Sequence, residues 1–135
     1  MPFLETIYKF FVPKPLLYIR MESNRFEIKD MKTGERIKQT AMVPFSNDRL
    51  LITDNLIAET FCKQLVDELL HQEGRRFKRS LRIVLQVCDP KFSETTKVEQ
   101  MIYLDFACFV GARCFWFCPH QRLLTDDEVL ALTKK

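Results

Sequence analysis

A chain of 135 residues that is 47% hydrophobic and holds 12 phenylalanines can bury one sizeable core, and that composition excludes disorder. The net charge of +3 is too mild to imply nucleic-acid or membrane binding by itself. No apolar run approaches the ~18–20 residues of a membrane span and no signal peptide opens the chain, so the cytoplasm is the expected compartment.

Residues 1–15 are expected to form an N-terminal arm. Phe3, Leu4, Ile7, Tyr8, Phe10 and Phe11 fall mostly on one helical face, and Pro13 and Pro15 stop any helix. Two readings stand: an arm packed on the domain, or a short amphipathic anchor for a membrane surface or partner groove. Only Lys9 and Lys14 supply positive charge here, so anionic lipid would add little.

Residues 16–135 read as a single domain. Leu16–Met21 is apolar on both sides and predicts a central strand. Glu22-Ser23-Asn24 turns the chain, with Asn24 suited to positive φ. Arg25–Met31 alternates, Phe26 and Ile28 facing one way and Glu27 and Lys29 the other. Lys32-Thr33-Gly34-Glu35 is a second turn with Gly34 in the left-handed position. Arg36–Val43 is expected as a third, edge strand, which Pro44 ends.

Arg49–Ile52 is either a short strand or an approach segment. Thr53-Asp54-Asn55 offers N-caps for a helix from Leu56 to His71, with Ala58, Phe61, Cys62, Leu65 and Leu69 inward. Glu59, Lys63, Asp67 and Glu68 are read as largely outward, and Gly74 as the C-terminal stop. Arg75, Arg76, Lys78 and Arg79, with Phe77 among them, make a basic loop.

Leu81–Val87 is the next strand, and Thr96–Val110 a helix with a stripe of Val98, Met101, Ile102, Phe106 and Phe109 expected to lie on the sheet. Cys114–Cys118 is the last strand, parallel to Leu81–Val87 through a right-handed crossover. Phe115-Trp116-Phe117 points to both faces and suits a covered sheet. Thr125-Asp126-Asp127-Glu128 is a capping box opening a lightly docked final helix.

The chemistry-bearing residues are sparse. The five cysteines, Cys62, Cys88, Cys108, Cys114 and Cys118, are odd in number and sit in apolar patterns, which argues for reduced, buried thiols. Cys118, beside Pro119-His120, is the best candidate for a redox-sensing thiol, which would need exposure and a lowered pKa. A Cys118–His120 nucleophile pair lacks a third orienting group. Neither these cysteines nor His71 and His120 assemble a metal set. The basic loop could grip phosphates, but one interleaved aromatic is thin support for base stacking, so a solvated connector is the preferred reading and nucleic acid is disfavoured.

The element order is β-β-β-α-β-α-β-α, the order of the ribonuclease H-like fold shared by actin-ATPase subdomains. The expectation is an α/β domain with a mixed five-stranded sheet and helices on both faces. Asp54–Leu70, Lys78–Val87 and Thr96–Phe117 resemble parts of the bacterial rod-shape protein MreB, the closest being Thr96-Lys97-Val98-Glu99, Leu104-Asp105 and Gly111-Ala112-Arg113. From Leu17 onward the chain is also similar to the small YjaA-type proteins of enterobacteria, described as stress-induced and uncharacterised. Leu17-Tyr18-Ile19, Phe45-Ser46-Asn47, Arg49-Leu50-Leu51-Ile52 and Ala58-Glu59 carry that resemblance.

The MreB resemblance implies a phosphate-holding turn of an acid followed by Leu-Gly-Thr, where this chain has Arg20-Met21-Glu22-Ser23. Glu99 falls at the family's water-activating acid, here a vestigial position. With one half of the two-domain ATPase, no catalytic residue and no cofactor are expected. The expected function is an MreB-like accessory or stress-associated module that binds a protein partner, with peripheral contact at the inner membrane through the arm. Alternatives are a homodimer, a cysteine-based redox-responsive stress protein, and a residual nucleotide-binding half-domain.

Overall fold

The structure, a computed structural model, describes residues 14–47, 49–71, 80–92, 94–118 and 122–134. The elements are β1 (Leu16–Glu22), β2 (Arg25–Asp30), β3 (Arg36–Thr40), α1 (Asn55–Leu70), β4 (Leu81–Val87), α2 (Lys97–Val110), β5 (Ala112–Cys118) and α3 (Asp126–Leu132), with a 3-10 turn at Pro90–Phe92. They form an α/β domain around one five-stranded mixed sheet of order β3-β2-β1-β4-β5.

Local chemistry explains the hairpins. Asn24 takes φ 58° between β1 and β2, and Gly34 takes φ 80° before β3, so both turns occupy left-handed backbone that these residues tolerate. β1 and β2 pair antiparallel from Glu22–Arg25 to Leu17–Asp30, and β2 and β3 from Arg25–Thr40 to Lys29–Arg36. On its other side β1 pairs in parallel with β4, which pairs in parallel with β5. β1 is therefore central, flanked by a strand on either side and apolar on both faces.

Two cores follow from the period-2 alternation. On one face, Leu17, Ile19, Met21, Phe26, Ile28, Ile83, Leu85 and Val87 are buried under α1 and α2. Phe26 is its centre, stacked on Phe45 at 5.0 Å and on Phe106 at 5.5 Å. Full burial of one such side chain contributes about 1.5–3 kcal/mol. On the opposite face, Leu16, Tyr18, Val84, Cys118 and Leu124 gather under α3 around Val129. Helices thus lie on both faces.

Caps set the helix starts. Asp54 accepts from the Ile57 amide, Thr96 from Glu99, and Thr125 from Glu128, the last closing a capping box. α1 stops at His71, which adopts φ 54° and donates its amide to the carbonyls of Asp67 and Glu68. This corrects the expected stop at Gly74, which lies outside the described residues; the capping geometry is complete three residues earlier.

Other expectations are corrected by packing. The buried side of α2 is Tyr103, Phe106, Ala107 and Val110, while Val98 (68% exposed), Met101 and Phe109 are open to solvent. Two apolar stripes share Phe106, and Tyr103 belongs to the inward one because it stacks on Phe117 at 5.7 Å. Glu59 is buried rather than outward, and burial raises its pKa. Arg49–Ile52 forms no strand; Leu51 and Ile52 are simply buried against the core. β3 ends at Thr40, short of Val43. Phe115, Trp116 and Phe117 are only half-buried, because β5 is an edge strand.

Candidate interaction surface at the β3 edge

The chain between β3 and α1 is tied down from the first hairpin. Asn24 Oδ1 accepts the amides of Phe45 and Ser46, both at 2.8 Å, and the Asn24 amide donates to Ser46 Oγ at 3.0 Å. Ser46 Oγ donates in turn to the Leu51 carbonyl. With Phe45 fully buried, the preceding residues are pushed outward, and Met42 is 99% exposed.

The result is an open groove of about 470 Å³ between the end of β3 and the first turns of α1. Gln39, Met42, Val43, Leu56, Ile57 and Phe61 are among its walls, and among the described residues no charged one lines it. A concave apolar surface of this size falls in the range used for ligand and peptide capture. The opposite side of β3 is basic. Arg36 and Lys38 approach Glu27 at 4.0 and 3.8 Å, and Arg20 reaches the same carboxylate at 3.7 Å.

A second polar arrangement joins β1, β4 and the segment before α3. Gln86, 0% exposed, accepts from Tyr18 Oη and from Arg20 Nε (3.1 Å) and donates to the Arg122 carbonyl at 2.7 Å. Tyr18 Oη also accepts the Leu124 amide at 3.2 Å. The network pins residues 122–124 across the sheet, a structural role. At the carboxyl end of the parallel strands, Ser23 Oγ donates to Asp89 Oδ2 at 2.7 Å, and this bond holds the Asp89 carboxyl below its usual range.

Glu99 is half-buried in the first turn of α2, where its Oε1 lies 3.1 Å from Thr96 Oγ1. The adjoining crevice, with Leu51, Ile52 and Tyr103, encloses about 10 Å³, room for about one water. Arg20, at the turn position where the resemblance implies an acid, is engaged by Gln86 and Glu27.

Cys118 is 1% exposed within the second core, so the exposure required of a redox sensor is missing there. Cys108 and Cys114 are exposed instead, correcting the expectation of uniformly buried thiols. Cys108 sits on the outer side of α2, and the short α3 packs over Cys118 and Trp116 but leaves Cys114 open. Burial pushes the Cys88 thiol up to about 11. Among the described residues no cluster of His, Cys, Asp or Glu could hold a metal ion, and no helix is long and apolar enough to cross a membrane. Phe3, Leu4, Ile7, Tyr8, Phe10 and Phe11, and the loop residues Arg75, Arg76, Lys78 and Arg79, lie outside the described residues.

Sequence reasoning recognised β3 as an edge but missed the groove, whose signal was weak: uncharged Ala41-Met42-Val43 followed by Pro44, and Leu56 placed outside the inward stripe. Nothing in the sequence marks Gln86 beyond its place in the strand expected at Leu81–Val87.

The chain matches no family model. It is similar to the uncharacterized protein YjaA of Escherichia coli (strain K12), 25% identical over 127 residues that cover 89% of this chain and 98% of that protein. Among solved structures it is similar to the ethanolamine utilization protein EutJ from Carboxydothermus hydrogenoformans, with a TM-score of 0.49 and 12% identity. That likeness covers 79% of this chain and 38% of EutJ, so the chain spans little more than a third of that neighbour.

Proposed function

We propose that this chain is a non-catalytic protein-binding module on a ribonuclease H-like, actin-subdomain scaffold, serving as an MreB-like accessory or stress-associated protein of a bacterium. The carrying observation is the groove of about 470 Å³, uncharged among the described residues, beside the edge strand β3. Exposed apolar walls such as Met42 and Leu56 (67% exposed) gain by being covered, at roughly 25 cal/mol per Å² of apolar area. The strand order β3-β2-β1-β4-β5 supports the scaffold reading, and the sequence likeness to YjaA supports the family reading. Binding rather than catalysis is also the better match for a Glu99 carboxylate that accepts from the N-cap Thr96 hydroxyl and an Arg20 committed to Gln86 and Glu27.

The test is quantitative partner capture from the native host with the unaltered chain and with Leu56→Asp. Leu56 is 67% exposed, so the substitution is expected to leave the melting temperature unchanged, which calorimetry checks. A partner retained by the first and lost by the second supports the reading; identical capture by both refutes it. A redox-responsive role is the second reading, favoured by the solvent-facing thiols of Cys108 and Cys114.

A further inference from the structure

The two sides of β3 differ, and the difference specifies what can pair with it. The Ala41 amide donates to the Asn24 carbonyl at 2.7 Å. The β2–β3 register continues from that pair through Arg25–Thr40, Phe26–Gln39, Glu27–Lys38 and Ile28–Ile37. Antiparallel pairs alternate between bonded and non-bonded, so Ile37 and Gln39 spend their backbone groups on β2. The amides and carbonyls of Arg36, Lys38 and Thr40 therefore point outward along an edge that no strand among the described residues pairs with, a template for one more strand.

Side chains sort by the same alternation. Ile37 and Gln39 lie on the side of Phe26 and Ile28, facing α1 and the uncharged groove. Arg36 and Lys38 lie on the other side, about half exposed, and share Glu27 with Arg20 at 3.7–4.0 Å. Three cations around one carboxylate leave an excess of positive charge. The nearby Lys29 is matched separately by Asp126 at 2.6 Å. α3 is packed over Tyr18, Val84 and Cys118, so it covers the β1–β4–β5 part of this face rather than β3.

A strand laid along β3 sends successive side chains to opposite faces. One set enters the groove and the other meets Arg36 and Lys38. We propose that the occupant is an extended segment of a partner protein with alternating apolar and acidic residues, added to the sheet beside β3. β3 is five residues long, so at ~3.4 Å per residue the matching segment spans about 17 Å. A second copy pairing through its own β3 is disfavoured, because it brings Arg36 and Lys38 of both chains onto one face. The inference rests on the binding-module reading and names its partner chemistry.

The experiment uses the full chain and three fluorescent heptapeptides: alternating Val and Glu, alternating Val and Lys, and the Val/Glu composition rearranged into two blocks. Anisotropy is expected to show the alternating Val/Glu peptide binding at least tenfold tighter than either control, and more weakly as salt rises. Amide NMR shifts are expected at Arg36, Lys38 and Thr40. Arg36→Glu/Lys38→Glu, two half-exposed edge positions that keep the fold, is expected to invert the preference toward the Val/Lys peptide.

Equal binding of all three peptides, shifts confined to amides away from β3, or dimerisation through β3 in sedimentation overturns the proposal. Loss of host-partner capture by Leu56→Asp without alternating-peptide binding also overturns it, while leaving the module reading intact. Unchanged capture by Leu56→Asp removes that reading itself.

Discussion

Replacing Gln86 by leucine removes the group that Tyr18, Arg20 and the Arg122 carbonyl share. Arg20 keeps Glu27, and Tyr18 Oη keeps the Leu124 amide, so the main losses are the buried phenol proton's acceptor and the carbonyl's donor. Each buried polar group stripped of its partner costs about 1–3 kcal/mol, partly offset by the better burial of leucine. The expected net loss is about 2–3 kcal/mol. In a domain of 135 residues this lowers the melting temperature by roughly 6–10 °C. Calorimetry or urea unfolding measures it directly. Tyr18→Phe alone should cost about 1 kcal/mol, and the double variant less than the sum, because both changes break the same bond. A Gln86→Leu chain within about 0.5 kcal/mol of the original, or strictly additive effects, would refute the reasoning.

Maleimide labelling of the native chain at pH 7.5 should modify Cys108 and Cys114 first and leave Cys62 and Cys118 protected. Cys88 should react slowly, since a thiol held at about 11 is almost entirely protonated at that pH; rapid modification of Cys88 or Cys118 would contradict the burial described. Arg122 makes hydrogen bonds of 2.9 and 2.6 Å to Glu128 and holds its carboxyl at about 2. Because the folded pKa is depressed, the stabilisation is present above the ordinary glutamate range and fades as pH falls toward 2. Arg122→Gln should raise the Glu128 carbon-detected titration toward that ordinary range but short of it, because the Thr125 amide still donates to the carboxylate; an unchanged midpoint would show that Arg122 is not the main cause.

Much of the fold was legible because its signals are local. Asn24 and Gly34 turn the chain by their own backbone preferences, and Asp54, Thr96 and Thr125 cap helices by reaching amides three residues on. The strand expected at Leu81–Val87 is β4 to its full bounds, and β3 is the edge expected of it. The candidate site was legible only in this last respect.

The sequence by itself determined the two hairpin turns, the three helix N-caps and the place of most strands, since each depends on residues within a few positions of one another. Tertiary structure decided which of α2's two apolar stripes is inward, by seating Tyr103 on Phe117, and it buried Glu59 and Cys118. It also made the groove, by anchoring Phe45 under Phe26 and turning Met42 outward, and it joined Tyr18 to Gln86 across 68 positions of chain. Periodicity says that a helix or strand has an apolar side, but the neighbour covering that side comes from elsewhere in the chain. Coverage, and with it the surface left open for a partner, is a property of the assembled sheet and helices.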